Sequence, residues 1–264
     1  GTSSLAYSII TSTDGTKIFV TTTPTGGYYY SADGGATFNT ADNYYLRYAT
    51  DIDNLGNILT SDSYVINGST VNNFSGSGQI ILGDNGKIFR YNETIQYRNI
   101  GSGDFTTIEN PAANEPGMGN YVMKAPGKGL LFLQASSTSA KAWFLDESTL
   151  EWSSPLLVTF DSTPLNQGCN NLNMFLKFAY AGNNILLVKG CTGVAMVDLT
   201  NSNSTPISYP ASDNEHIIYE DLRDGQLFVD SKKQLYIVAA TYEDLSRTKF
   251  IYRYNGTTWS RLET

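Results

Sequence analysis

The sequence has few of the residues on which many catalytic and metal sites depend. Its 264 residues include one histidine and two cysteines. A site with two imidazole ligands is therefore excluded, and any Ser-His-Asp triad would have to use His216. No G-x-S-x-G nucleophile motif occurs either. We assign no catalytic residue from the sequence, and we expect neither a bound metal nor a cofactor.

Basic side chains and long apolar runs are also scarce. The chain has 17 Lys and Arg against 25 Asp and Glu, for a net charge of −8, so it lacks the basic surface that nucleic acids and anionic membranes require. No run approaches the roughly 18 apolar residues of a membrane span. We expect no nucleic-acid partner, no transmembrane segment and a monomer. The start is polar and has no Met, so we expect a leader or anchor to have been removed.

Helical periodicity is absent, whereas residues typical of strands and turns are abundant. The chain contains 18 Tyr, 12 Phe, 3 Trp and 24 Gly. No segment keeps a 3.6-residue apolar period over 11 residues. Aromatic side chains favour strands and glycine favours tight turns, so we predict an all-β protein with essentially no helix.

A repeat is visible in the turns. Six segments share a turn rich in Gly, Asn, Asp or Lys followed by an apolar strand, and the first apolar residues of these strands are Ile18, Ile58, Ile88, Leu130, Ile185 and Leu235. Their mean spacing around the chain is 264/6, or 44 residues. Each turn has one strand-like run before it and two more after it, which predicts six units of four antiparallel strands.

Six such units indicate a six-bladed β-propeller, in which each blade buries both faces against its neighbours. We predict a single domain over 1–264, with blades at about 5–42, 45–75, 78–109, 120–157, 173–210 and 225–264. A β-sandwich or a β-helix is the alternative architecture. A second alternative concerns the first strand, which would complete the last blade instead of the first.

One turn in the first predicted blade carries a spaced motif. In "YSADGGATF" the residues Ser31, Asp33, Gly35, Thr37 and Phe38 follow the pattern S-x-D-x-G-x-T-[WF]. A short Asp can accept hydrogen bonds from backbone N–H groups of its own turn, and Gly can adopt a positive φ. We expect Phe38 to pack between sheets. "YNGTTW", "INGSTV" and "DESTLEW", at the corresponding turns of other blades, keep fewer of these residues.

This motif resembles the Asp-box, or bacterial neuraminidase repeat, of sialidases, of some other glycoside hydrolases and of several non-enzymatic propellers. The resemblance covers eight residues and implies a structural role, since in the family these turns lie on the rim, away from the catalytic pocket. Functional residues are then expected on the opposite face. Sialidases of this kind also use three arginines, a Tyr-Glu pair, an Asp acid and an Arg-Ile-Pro motif. That motif is absent here and the chain has only seven arginines.

The two cysteines, Cys169 and Cys191, are 22 residues apart. This spacing is compatible with one disulfide in an oxidising compartment. The alternative is a pair of buried free thiols in a cytosolic protein. The surplus of Asn, Ser, Thr and Tyr favours export, so we expect the disulfide and a periplasmic, cell-surface or extracellular location, with a lipid anchor as one option.

Two stretches combine residues suited to ligand binding. "DNYYLRY" places Tyr44, Tyr45 and Arg47 between the first two blades, where aromatic rings could stack on sugars and Arg could bind a carboxylate. A longer connection before the sixth blade holds His216, Glu220, Asp221 and Arg223. Carboxylates close together can act as an acid–base pair or bind a cation. Buried tyrosines between blades and a solvated charged loop are the structural alternatives.

A third stretch, "DIDNLGN", resembles a calcium loop in its spacing. Asp51, Asp53 and Gly56 occupy positions one, three and six, and Asp62 occupies position twelve. Position five is Leu55, however, and position twelve is Asp instead of Glu. We interpret this stretch as a turn between two strands.

Taken together, these features predict an exported propeller that acts as a binding scaffold for a protein or a glycan. The alternative is a carbohydrate-active enzyme, a sialidase-like hydrolase or a lyase, that uses carboxylates and tyrosines at the channel mouth. Two carboxylates converging in a pocket within about 5–10 Å would favour the enzyme.

Overall fold

A computed structural model describes residues 6–22, 27–41, 46, 49–61, 64–67, 70–74, 78–113, 115–116, 118–161, 165, 177–190, 193–208, 226–229, 232, 234–241 and 248–262. The elements within these ranges are 24 β-strands, and they include no α-helix. No described helix is long and apolar enough to cross a membrane.

The strands form six antiparallel sheets of four consecutive strands each. The first three sheets contain β1 Ala6–Thr11, β2 Ile18–Thr22, β3 Tyr28–Ser31 and β4 Asn39–Ala41; β5 Ala49–Ile52, β6 Ile58–Thr60, β7 Tyr64–Asn67 and β8 Thr70–Asn73; and β9 Gln79–Leu82, β10 Lys87–Asn92, β11 Thr94–Asn99 and β12 Thr106–Ile108.

The last three sheets have the same hairpin order. They contain β13 Gly119–Ala125, β14 Gly129–Ala135, β15 Ser139–Leu145 and β16 Leu156–Thr159; β17 Lys177–Tyr180, β18 Ile185–Lys189, β19 Gly193–Asp198 and β20 Asn203–Ser208; and β21 Gln226–Val229, β22 Leu235–Thr241, β23 Thr248–Tyr254 and β24 Trp259–Leu262.

This architecture is that of a six-bladed all-β propeller, so the predicted fold class is confirmed and the sandwich and β-helix alternatives are wrong. The first strand pairs with β2 inside the first sheet, with Ile10 opposite Phe19. The alternative in which this strand completes the last blade is therefore also wrong. The predicted blade boundaries stay a prediction.

The repeat in the sequence corresponds to the first hairpin of each sheet. The six apolar residues used to detect it are each the first or second residue of their sheet's second strand. Gly15, Gly56, Gly86 and Gly127 in the first four of these turns all have φ between 71° and 86°. Glycine adopts this left-handed conformation without the steric penalty that a Cβ brings, which explains why the turns are glycine-rich.

The chain divides into two compact units, and the fourth sheet contributes to both. Unit 1 comprises 1–113, 122–132 and 144–153, and unit 2 comprises 114–121, 133–143 and 154–264. In unit 1, apolar clusters join the first sheet to the second around Phe19 and Ile52, and the second to the third around Leu82. In unit 2, Leu187 and Ile237 belong to one cluster joining the fifth and sixth sheets. When both faces of a sheet are covered by neighbouring residues, its second strand is almost completely buried. Every residue of β14 is buried in this way.

Candidate functional site

The residues predicted to bind a ligand lie outside the described ranges. They are Tyr44, Tyr45, Arg47, His216, Glu220, Asp221 and Arg223. Cys169 and Cys191 lie outside them as well, so the binding site and the disulfide stay predictions.

The motif that resembles an Asp-box forms the turn between β3 and β4. Asp33 Oδ1 accepts hydrogen bonds from Ser31 Oγ at 2.7 Å and from Thr37 N at 2.9 Å, and Asp33 Oδ2 accepts one from Thr37 Oγ1 at 2.6 Å. Gly35 has φ of 93° and donates its N–H to Ser31 Oγ at 2.8 Å. Chiefly because of its hydrogen bonds to Thr37, the pKa of Asp33 falls to about 2. The carboxylate thus accepts three hydrogen bonds from its own turn.

The aromatic residue that ends this motif is not buried. Phe38 is 45% exposed, so the expectation that it packs between sheets is wrong. Tryptophans follow the corresponding turns of the fourth and sixth sheets. Trp152 donates its indole N–H to Glu109 O at 2.9 Å, and Trp259 donates to Ser208 O at 2.8 Å. Each indole thereby ties its sheet to the end of the preceding one, which a phenyl ring cannot do by hydrogen bonding.

The turns between the third and fourth strands of the fourth, fifth and sixth sheets share one hydrogen-bond pattern, although they keep little of the motif. Asp146 Oδ1 accepts Ser148 N at 2.7 Å, Asp198 Oδ1 accepts Thr200 N at 2.9 Å, and Asn255 Oδ1 accepts Thr257 N at 3.0 Å. A side-chain oxygen that accepts the N–H two residues later stabilises a turn locally. The turn at Asp198 was not identified from the sequence.

A second group of polar residues joins the turns between first and second strands in unit 1. We call it the turn cluster; its members are Thr13, Asp51, Asp53, Asn54, Asp84, Lys124, Gly127 and Glu147. Its centre is Asp84, which is 4% exposed. Asp84 Oδ1 accepts Thr13 Oγ1 at 2.6 Å, and Asp84 Oδ2 accepts Gly127 N at 2.8 Å. One carboxylate of the third sheet therefore binds turns of the first and fourth sheets.

Lys124 is the cation of the turn cluster. Its Nζ lies 3.0 Å from Asp51 Oδ2 and 3.4 Å from Asp84 Oδ1, and its side chain is 14% exposed. Burial raises the pKa of Asp51, and the Lys124 ammonium opposes that rise. A carboxylate in a low-dielectric site favours its neutral form unless a cation or N–H donors compensate. Lys124 is such a cation for Asp51, and its Nζ also lies within ion-pair distance of Asp84.

Asp53 is fully buried, and hydrogen bonds satisfy its carboxylate. Asp53 Oδ1 accepts Leu55 N at 2.9 Å and Asn57 N at 2.8 Å, both in its own turn. Asp53 Oδ2 accepts Asn57 Nδ2 at 2.6 Å and Gly86 N at 3.0 Å, the latter in the third sheet. Burial is also the leading cause of the raised pKa of Asp53. The stretch "DIDNLGN" is accordingly a turn held by Asp53, as predicted, while Asp62 lies outside the described residues.

Two further contacts complete the turn cluster. Glu147, from the fourth sheet, accepts Asp84 N at 2.7 Å and Asn85 N at 3.0 Å. Asn54 Oδ1 accepts Asp14 N at 3.1 Å, and Asn54 N donates to Asp84 O at 3.0 Å. Sequence reasoning identified these turns as a repeat but did not predict that they meet. An acidic residue recurs in the first three turns, at 14, 53 and 84, but the carboxylate of Asp14 bonds to Ser12 and Thr16 of its own turn, so this recurrence does not by itself indicate the cluster.

Two clefts border the outer strands of sheets. The first, of about 550 Å³ in unit 1, is lined by Thr94, Thr107, Ile108, Glu109, Asn110, Ala112 and Ala113. The second, of about 540 Å³ in unit 2, is lined by Thr138, Thr159, Phe160, Asp161, Ser202, Ser204 and Pro206. Each has one buried side-chain oxygen without a hydrogen-bond partner among the described residues, Asn110 Oδ1 and Ser204 Oγ respectively. Cleft volumes in this range suit small ligands.

No protein-family model and no curated protein sequence matches the chain. Solved structures do resemble it. Prolyl oligopeptidase B from Galerina marginata matches with 12% identity and a TM-score of 0.53, over 98% of this chain and 43% of that chain. This level of identity shows the fold alone.

Two further structures have lower scores. The extracellular domain of a one-component system from B. thetaiotaomicron matches with 10% identity and a TM-score of 0.47, over 98% of this chain and 33% of that one. A GH74 enzyme from Niastella koreensis matches with 14% identity and a TM-score of 0.41, over 100% and 32%. The chain thus spans less than half of the length of all three proteins.

Proposed function

We propose that the chain is an exported β-propeller that binds a protein or a glycan and does not turn it over. The observation that carries this proposal is the hydrogen bonding of the buried acidic side chains. Asp53, Asp84 and Glu147, the buried acidic residues among those described, each accept at least two hydrogen bonds from the protein itself. A general acid or a nucleophile needs an oxygen directed at the substrate. These oxygens are directed at turns instead.

The contacts of the acidic residues in the turn cluster also bear on the alternative function, that of a carbohydrate-active enzyme. Asp51 and Asp84 do converge, because each has an oxygen within 3.4 Å of Lys124 Nζ. Glycoside hydrolysis requires one carboxyl group to protonate the leaving group and the other to attack the sugar or activate water. With an ammonium between them and a backbone N–H on Asp84, this pair acts as an ion-pair bridge. The geometry therefore favours binding over hydrolysis.

A paired binding and turnover assay tests this function. The purified protein is applied to a glycan array and to an array of extracellular proteins, and each bound glycan is then incubated with it and analysed by mass spectrometry. We expect saturable binding with the ligand recovered intact. Release of a shortened or eliminated sugar at a rate above that of a heat-denatured sample would contradict the proposal.

Export is supported by the predicted disulfide and has its own test. Alkylation followed by a non-reducing peptide map should recover Cys169 and Cys191 in one linked species. A closed loop of this length would stabilise the fold by about 3 kcal/mol, so reduction should lower the melting temperature. Recovery of both thiols alkylated from protein expressed in an oxidising compartment would refute the disulfide.

A further inference from the structure

We propose that the cleft between β16 and β20 in unit 2 binds a neutral oligosaccharide. This inference rests on the proposed binding function and names the ligand class and the place. The two strands are the outer strands of the fourth and fifth sheets. Ser202 Oγ donates to Leu157 O at 2.7 Å and so connects them at one end of the cleft.

The lining of the cleft is dense in hydroxyl groups. Thr138, Thr159, Ser202 and Ser204 supply four hydroxyls, and Asp161 supplies a carboxylate. A hydroxyl both donates and accepts, which matches the hydroxyls of a sugar in either orientation. The Oγ of Ser204 is buried and has no hydrogen-bond partner among the described residues. A buried polar atom without a partner is costly, and a ligand hydroxyl would satisfy it.

Apolar groups in and beside the cleft complement this polar lining. Leu157 is 62% exposed beside it, and Pro206 forms part of its wall. The C–H face of a pyranose is apolar and can cover such groups, which removes them from water. Phe160 is only 4% exposed and packs against Phe178, so its ring is part of the floor and not an open stacking platform.

The charge of the cleft and the form of its two edge strands favour a neutral sugar over an anionic ligand or an extended peptide. The lining contains Asp161 and no Lys or Arg, which disfavours anionic ligands. An extended peptide would need free N–H groups along an edge strand. Pro206 lies in the middle of β20 and has no N–H, and β16 has only four residues, so both edges are poor templates for strand addition.

The first cleft is the natural control. It has a similar volume but only two hydroxyls, from Thr94 and Thr107, together with two alanine methyl groups. Glu109 O accepts Trp152 Nε1 and Asn110 Nδ2 donates to Glu93 O. Asn110 Oδ1 is buried without a hydrogen-bond partner among the described residues, as Ser204 Oγ is, so the two clefts differ in their hydroxyl content and not in this feature. A change of Thr107 therefore alters a matched cleft without touching the proposed site.

The experiment titrates the wild-type protein with neutral trisaccharides of the cello-, xylo-, malto- and chito- series, followed by saturation-transfer NMR and isothermal titration calorimetry. Thr159→Arg places a long side chain across the cleft from an exposed position, and we expect at least a tenfold loss of affinity. Ser204→Ala removes the buried hydroxyl, and we expect about a fivefold loss. Thr107→Ala should leave affinity unchanged. Melting temperatures and circular dichroism verify that each variant is folded.

The outcomes separate this inference from the proposed function. A trisaccharide that binds the wild type and loses affinity in both unit 2 variants, but not in Thr107→Ala, supports the cleft. Glycan binding that survives Thr159→Arg overturns the cleft while the binding function stands. Saturable binding of proteins with no trisaccharide bound by calorimetry or NMR also overturns the cleft alone. A shortened trisaccharide in the NMR tube overturns the proposed function, whichever cleft holds the sugar.

Discussion

An aspartate holds a turn in the turn cluster, and another aspartate holds the turn between β3 and β4. The first is buried and the second is exposed. Asp53 and Asp33 both accept the N–H groups of their own turns. Asp53 is fully buried and reaches Gly86 in another sheet, whereas Asp33 is exposed and stays within its own turn. The pKa of Asp53 is raised by burial, and that of Asp33 is lowered by its hydrogen bonds. The contribution of such an acid to stability therefore depends on its burial and on whether it hydrogen-bonds to another sheet, more than on the local motif.

The largest effect should follow from breaking the centre of the turn cluster. Asp84→Asn keeps the shape but removes the charge that faces Lys124, and its amide nitrogen cannot accept a hydrogen bond from Thr13 or Gly127. Breaking a buried charge pair typically costs about 3–5 kcal/mol, so we expect a loss of about 3 kcal/mol in the free energy of unfolding. Urea denaturation measures this change.

The matched control for Asp84→Asn is Asp33→Asn, which changes an exposed acid whose hydrogen bonds lie within its own turn. A double-mutant cycle with Lys124→Gln isolates the coupling between Lys124 and Asp84. Equal losses for the two Asn variants, or no coupling in the cycle, would contradict the distinction between the two kinds of turn.

A glycine substitution should produce the next largest effect. A Cβ at Gly83 would lie 2.6 Å from Glu147 Oε1, so Gly83→Ala should displace the carboxylate that accepts Asp84 N and Asn85 N. Leaving a buried partner unsatisfied costs about 1–3 kcal/mol. Gly103→Ala is the control, because a Cβ there meets nothing within 4 Å. Urea denaturation should show a loss for Gly83→Ala and little change for Gly103→Ala; the reverse order would be inconsistent with the cluster.

A smaller loss is expected where an indole joins two sheets. Trp152→Phe keeps an aromatic ring but removes the hydrogen bond to Glu109 O, for a loss of about 1 kcal/mol. Thermal unfolding monitored by far-ultraviolet circular dichroism provides the measurement. Phe38→Leu, which changes an exposed ring that donates no hydrogen bond, is the control. A melting temperature of Trp152→Phe that equals the wild-type value would show that the indole N–H contributes nothing.

The smallest effect at neutral pH, and the most specific in its pH dependence, belongs to Asp33. Its pKa of about 2 in the fold lies below the ordinary value of 3.8, so its stabilising contribution is complete above about pH 5 and is lost as the pH falls through about 2. Asp33→Asn should therefore be less stable than the wild type at neutral pH, and the difference should vanish in acid. Denaturation at several pH values between 2 and 7 measures this; a difference that does not change with pH would exclude the lowered pKa as its cause.

The fold could be predicted largely because its signals are local. A turn rich in Gly, Asn, Asp or Lys next to an apolar strand marks each hairpin within a few residues, and this pattern occurs six times in the sequence. The turn between β3 and β4 was equally local, since its bonds join residues at most four apart. Phe38 was the exception, because its burial depends on what surrounds it.

The turn cluster could not be predicted because its contacts are distant in sequence. Thr13 and Asp84 are 71 residues apart, and Asp51 and Lys124 are 73 apart. Neither "TDGTK" nor "GDNGK" contains a pattern that predicts a contact between the two turns. Likewise, the second cleft is formed by segments on either side of 162–201, and no motif in either one indicates it. Contacts of this kind follow from the three-dimensional arrangement and not from the spacing of residues.

The pairing of β1 with β2 has a consequence for how the chain acquires its structure. Every sheet is built from strands that are consecutive in the chain, so all strand pairing proceeds through hairpins of short sequence separation. Short separations reduce the loop-closure entropy that precedes pairing and speed folding. On the ribosome, each sheet can form as soon as its own four strands emerge, and no strand has to wait for the opposite end of the chain.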